Sequence, residues 1–122
     1  MRQFGELEAV IMSRLWARQG PTLVREILDE LAPERPLAYT TVLSVMDKLH
    51  RKGWLKREPA GRAYRYSPIQ TRDAYSATLM REALEGSTDQ QSALVHFVDQ
   101  MSPAETAALQ AALDAARQAA GR

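Results

Sequence analysis

The chain has 122 residues, 45% of them apolar and 25% charged, with 16 Lys/Arg against 15 Asp/Glu and no cysteine. That is the size of one compact domain or two very small ones, in an ordinary soluble globular composition. The missing cysteines exclude disulfides, iron–sulfur clusters, thiol redox sensing and thiolate zinc sites. Apolar runs as short as Ala9-Val10-Ile11-Met12 leave no membrane span and no signal-peptide core, so the expected location is the cytoplasm.

The first predicted helix runs from Glu6 to Arg18, with Leu7, Ile11, Leu15 and Trp16 recurring on one face. Gln19-Gly20-Pro21 stops it, because proline cannot continue a helix. Thr22 is the expected cap of a second helix, whose apolar face is Val24, Ile27, Leu28 and Leu31. The prolines of Ala32-Pro33-Glu34-Arg35-Pro36 break the chain again. A third helix spans about Ala38 to Lys52 and ends at Gly53. Val42, Val45, Met46 and Leu49 form its narrow apolar stripe. Thr40, Ser44 and Arg51 project from the opposite side, and Thr41, Leu43, Asp47 and Lys48 flank them. Short hydroxyl side chains let such a helix approach base edges in a major groove and hydrogen-bond them.

Trp54-Leu55-Lys56-Arg57-Glu58 and Ala63-Tyr64-Arg65-Tyr66-Ser67 alternate as strands do. Pro59-Ala60-Gly61-Arg62 is the turn expected between them. Three helices followed by a hairpin, with basic residues on the last helix and the hairpin, is the winged helix-turn-helix plan. The charge supports it: residues 1–70 carry a net +4 and residues 71–122 a net −3. Lys48, Arg51, Lys52, Lys56, Arg57, Arg62 and Arg65 gather in one stretch, the footprint of a nucleic-acid face. Thr40, Thr41 and Ser44 are therefore the expected base contacts, and Lys48, Arg51, Arg62 and Arg65 the expected phosphate contacts.

Thr71 caps a fourth predicted helix reaching about Leu84, with Tyr75, Leu79 and Ala83 in a sparse stripe. Gly86-Ser87-Thr88-Asp89 breaks it. Ala93, Leu94, Phe97, Val98 and Met101 mark a fifth helix. Ser102-Pro103-Ala104-Glu105 opens a sixth with a capping box, and Leu109, Ala112, Leu113 and Ala116 continue its face. Fifty residues with so few large apolar side chains bury too little surface to fold well alone. They dock on the first seventy or pair with a second copy. Pairing is the expectation, with Leu94, Phe97, Val98, Met101, Leu109 and Leu113 at the dimer interface. The predicted fold is thus mainly α (α+β): a winged helix-turn-helix with a two-stranded wing over residues 1–70, and a three-helix dimerisation region over 71–122.

No catalytic constellation, phosphate loop or dinucleotide fingerprint appears, so no enzyme activity, cofactor or metal site is expected. His50, at the end of the third helix, reads as a surface or phosphate-contact residue. His96 reads as a partly buried structural histidine. Glu26, Asp29 and Glu30 read as a solvated face.

Four segments carry a family resemblance. Leu7-Glu8-Ala9-Val10-Ile11-Met12 with Leu15-Trp16 resembles the opening helix of the BlaI/MecI penicillinase-repressor family. Residues Ala38 to Leu49, followed by Lys52-Gly53, are similar to its recognition helix. Arg62-Ala63-Tyr64-Arg65-Tyr66-Ser67-Pro68 resembles its wing, and Ala93-Leu94-Val95-His96-Phe97-Val98 its fifth helix. The resemblance implies a homodimeric transcriptional repressor on a palindromic operator with TACA/TGTA-type half-sites. It also implies, as partner, a membrane metalloprotease sensor whose signal leads to cleavage in the fifth helix. That bond is Asn-Phe in the antibiotic-resistance members and His96-Phe97 here. The copper-responsive branch carries C-terminal cysteines, which this chain lacks. Two further readings stand beside a repressor of this type: a winged-helix regulator released by a small-molecule ligand, and a winged helix used for protein–protein assembly. Neither reading, nor the repressor, calls for membrane insertion.

Overall fold

A computed structural model describes residues 4–121. It contains α1 (Glu6–Ala17), β1 (Thr22–Leu23), α2 (Val24–Leu31), α3 (Tyr39–Arg51), β2 (Leu55–Ala60), β3 (Ala63–Pro68), α4 (Arg72–Glu85), α5 (Gln90–Asp99) and α6 (Pro103–Ala120). The chain divides into two units, one ending at Leu79 and the other starting at Met80, so the division falls within α4.

The first unit is built around the predicted apolar faces. Ile11, Met12 and Leu15 of α1, Val24, Ile27, Leu28 and Leu31 of α2, and Val42, Met46 and Leu49 of α3 are all buried together with Leu55 and Tyr66 of the sheet. Burying a side chain of this size stabilises the fold by about 1.5–3 kcal/mol relative to exposure. Val45, expected in the same stripe, packs on the margin of this core.

Three local expectations change. Thr22 does not cap α2. Its backbone pairs with Tyr66 as a strand, its side chain is buried, and its hydroxyl donates to the Gly20 carbonyl at 3.1 Å. Leu23 takes the N-cap position, and its amide is satisfied by Glu26 Oε1 at 2.9 Å. The sheet therefore has three strands, in the order β1-β3-β2, with the two-stranded wing as its outer part. The hairpin turn is also tighter than expected. Ala60 pairs with Ala63, which leaves only Gly61 and Arg62 in the loop, and Gly61 supplies the positive φ of 64°. Pro59 sits inside β2 opposite Tyr64. An edge strand tolerates proline because its outward amide has no partner to lose.

An aromatic box closes the unit. Tyr75 of α4 stacks on Phe4 with centroids 4.5 Å apart and meets Trp54 edge-on at 5.0 Å. Trp16 lies 5.4 Å from Tyr75, and its indole nitrogen donates to the Gln70 carbonyl at 2.9 Å. Each such pair contributes about 0.5–1.5 kcal/mol beyond area burial. The first turns of α4 are thereby fastened to the winged helix. Thr71 caps that helix as expected, accepting from the Ala74 amide at 3.1 Å.

In the second unit, Asp89 caps α5 through the Ser92 amide. The capping box of α6 forms as read, with Ser102 and Glu105 bonded reciprocally at 2.9 and 3.1 Å and Pro103 in the first turn. Met101 lies past the end of α5, in the short link to α6. Neither α5 nor α6 has a buried residue.

Candidate nucleic-acid interface

Helix α3 turns its buried stripe inward and presents Thr40, Thr41, Ser44, Lys48 and Arg51 to solvent. All five expected contacts on this helix are thus accessible on one element. Packing of α3 rests on Val42, Met46 and Leu49, none of which is exposed at all. The outer residues are free of any structural duty in the core, so their chemistry is available to a ligand.

The basic stretch sorts into two groups. Lys48, Lys56 and Arg62 form no salt bridge among the described residues, whereas the others do. Lys52 bonds Glu8 at 3.2 Å, which ties the end of α3 to α1. Arg65 lies 3.5 Å from Glu26. Arg57 bonds Asp47 at 2.9 Å and covers the Tyr64 ring at 4.1 Å, and Arg51 meets the other oxygen of Asp47 at 3.5 Å. Asp47 therefore joins α3 to the wing. Sequence reasoning placed Asp47 on a flank and missed this role, because the bond spans a turn whose geometry the pattern does not reveal. Arg62 occupies the tip of the wing, exposed beside Gly61.

Burial by itself raises the Glu8 carboxyl, but the Gly5 amide and the Lys52 ammonium outweigh it and hold the group below its ordinary value. Glu30 behaves in the same way. Burial is outweighed by hydrogen bonds from Arg18 and Arg14. Glu26 and Glu30 are thus ion-paired to α1 and to the wing rather than forming an idle solvated face. His50 is also reassigned. It is half-buried, with Nδ1 2.9 Å from the Leu55 carbonyl and its ring against Tyr66, so it braces the start of β2 instead of facing a phosphate. His96, expected to be partly buried, is exposed on α5.

On the second unit, Leu94, Phe97, Val98 and Leu113 are exposed in the single chain, while Met101 and Leu109 are half-buried. Among the described residues no helix is long and apolar enough to cross a membrane.

A three-helix core, a wing hinged on its third helix and a cationic, hydroxyl-bearing outer face define a winged-helix DNA-binding regulator. Comparison with known proteins agrees. The penicillinase repressor family model matches residues 4–115. The transcriptional regulator BlaI of Mycobacterium tuberculosis, in strains CDC 1551 and H37Rv, is 40% identical over 116 residues, covering 93% of this chain and 84% of the relative. The solution structure of the DNA-binding domain of the repressor BlaI superposes with a TM-score of 0.53 at 23% identity, over 60% of this chain and 88% of that domain. The chain belongs to the penicillinase repressor family, as a DNA-binding transcriptional repressor.

Proposed function

We propose that the chain represses as a homodimer, with residues 1–70 reading DNA and residues 71–122 pairing the two copies. Each α3 enters the major groove of one half of a palindromic operator, Thr40, Thr41 and Ser44 meet base edges, and Lys48, Arg51, Arg62 and Arg65 meet phosphates. The observation that carries the pairing is the apolar surface left open on α5 and α6. Phe97 is 45% exposed, in line with Leu94, Val95, Val98 and Leu113, on a unit with no buried residue in either helix. A second copy covers such a surface, and a dimer makes the second half-site contact effectively intramolecular. Sedimentation of the purified chain tests this: a monomer at micromolar concentration contradicts it.

Release follows from the same surface. A membrane metalloprotease sensor leads to a cut between His96 and Phe97. That bond lies inside α5, and a protease cleft takes an extended segment, so α5 opens locally first. The cut removes Phe97, Val98, Met101 and all of α6. A fragment ending at His96 should then be monomeric and bind an inverted-repeat duplex about tenfold or more weaker than the whole chain. Mass spectrometry of the protein from derepressed cells should find a terminus at His96; an intact chain there excludes proteolysis as the signal.

A further inference from the structure

Six residues of α3 between Thr40 and Arg51 are exposed: Thr40, Thr41, Leu43, Ser44, Lys48 and Arg51. Five carry a hydroxyl or a positive charge. The sixth, Leu43, is 37% exposed and belongs to neither the core nor the packed margin around it. Its neighbour one turn back, Tyr39, is equally exposed, but the Arg25 guanidinium sits 5.2 Å from the centre of that ring. Leu43 is thus the uncovered apolar side chain beside Thr40 and Ser44. It shares its flank of the helix with Asp47, four residues on, which bonds Arg57 of the wing. A major groove offers one apolar group to such a side chain, the C5 methyl of thymine.

We propose that Leu43 is a specificity-determining residue that reads a thymine on the wing side of α3 by packing against its C5 methyl. This rests on α3 entering the major groove, as set out above. Hydroxyls of Thr40 and Ser44 distinguish bases by hydrogen bonding, which leaves thymine and uracil equivalent at their polar edges. Leu43 separates them, because the two bases differ only in the methyl. Removing one buried methyl weakens binding about fourfold.

The test uses the full-length chain and duplexes enriched by it from a random-sequence library. Each thymine of the enriched site is replaced in turn by deoxyuridine, and affinities are read by fluorescence anisotropy. The wild type should lose about fourfold at one position in each half-site. Leu43→Ala should bind the thymine duplex about as weakly as the wild type binds the uracil one, and should no longer respond to the replacement. Leu43→Met, which keeps an apolar tip, should retain the response. An enriched site at which the wild type ignores every replacement, or at which Leu43→Ala keeps the wild-type response, overturns the role of Leu43 and leaves the operator reading intact. Failure to enrich any sequence overturns the operator reading and this inference with it.

Discussion

The wing tip and the wing strand should respond differently to salt, although each carries one arginine. Arg62 makes no salt bridge among the described residues, whereas Arg65 already sits 3.5 Å from Glu26. A cation that neutralises one phosphate releases counterion and adds about 0.9 to the slope of log affinity against log salt. A dimer carries two wings, so Arg62→Ala should flatten that slope by about 1.8. Between 50 and 200 mM salt this makes the loss of affinity roughly twelvefold smaller than for the wild type. Arg65→Ala should flatten it less, because Glu26 has already neutralised part of that charge and must be displaced before a phosphate gains it. The assay is a salt titration of binding to an inverted-repeat duplex and to a scrambled one, with both slopes expected to shift alike. Equal slope changes for the two arginines would show that the Glu26 pair does not hold in solution. No change for Arg62→Ala would remove the wing tip from the interface.

Thr40→Ala and Ser44→Ala should each cost about 1–3 kcal/mol on the operator and little on scrambled DNA; equal losses on both duplexes would reassign them to backbone contact. Phe97→Ala and Leu113→Ala should raise the dimer dissociation constant in sedimentation, while the thermal unfolding of the winged helix stays in place, since both residues are exposed in the single chain. A matching fall in winged-helix melting temperature would place them in an intramolecular core instead. Glu8 and Glu30 are held below the ordinary carboxylate value of 4.5. Their ion pairs thus contribute stability that is fully present above about that pH and is lost as pH falls through the lower folded-state values. Acid unfolding followed by circular dichroism should begin there, and Glu8→Gln should flatten the dependence.

Much of the first unit is legible in the sequence because its helices are amphipathic and its breaks are chemical. The faces Val24-Ile27-Leu28-Leu31 and Val42-Met46-Leu49 are buried as their spacing requires. The Gly20-Pro21 and Gly53 breaks fall where helices end. What escaped the sequence depends on partners far along the chain. Two residues cannot announce themselves as a strand by alternation, so β1 appears only once Tyr66 is there to pair with it. The chemistry of Thr22 suits a helix cap, yet the sheet requires its backbone and the core takes its side chain. Pro59 has the chemistry of a turn residue, and only the edge position of β2 makes it a strand residue.

The basic stretch shows the same limit in electrostatic form. Charge counting finds seven cations close together and cannot tell which of them face a ligand. The fold engages four in ion pairs. Lys52 anchors α3 to α1, Arg65 meets α2, and Arg51 and Arg57 share the carboxylate of Asp47. These pairs are partly exposed, so each is worth little to stability on its own. Their effect is geometric. Asp47 draws Arg57 and the Tyr64 ring against α3, which sets where the wing stands beside the helix before DNA arrives. Lys48, Lys56 and Arg62 are left without such pairs among the described residues. The carboxylates inside the basic face therefore do more than lower its charge. They divide the cations into those already paired within the fold and those left open to a ligand, a division that depends on distances rather than on the order of residues.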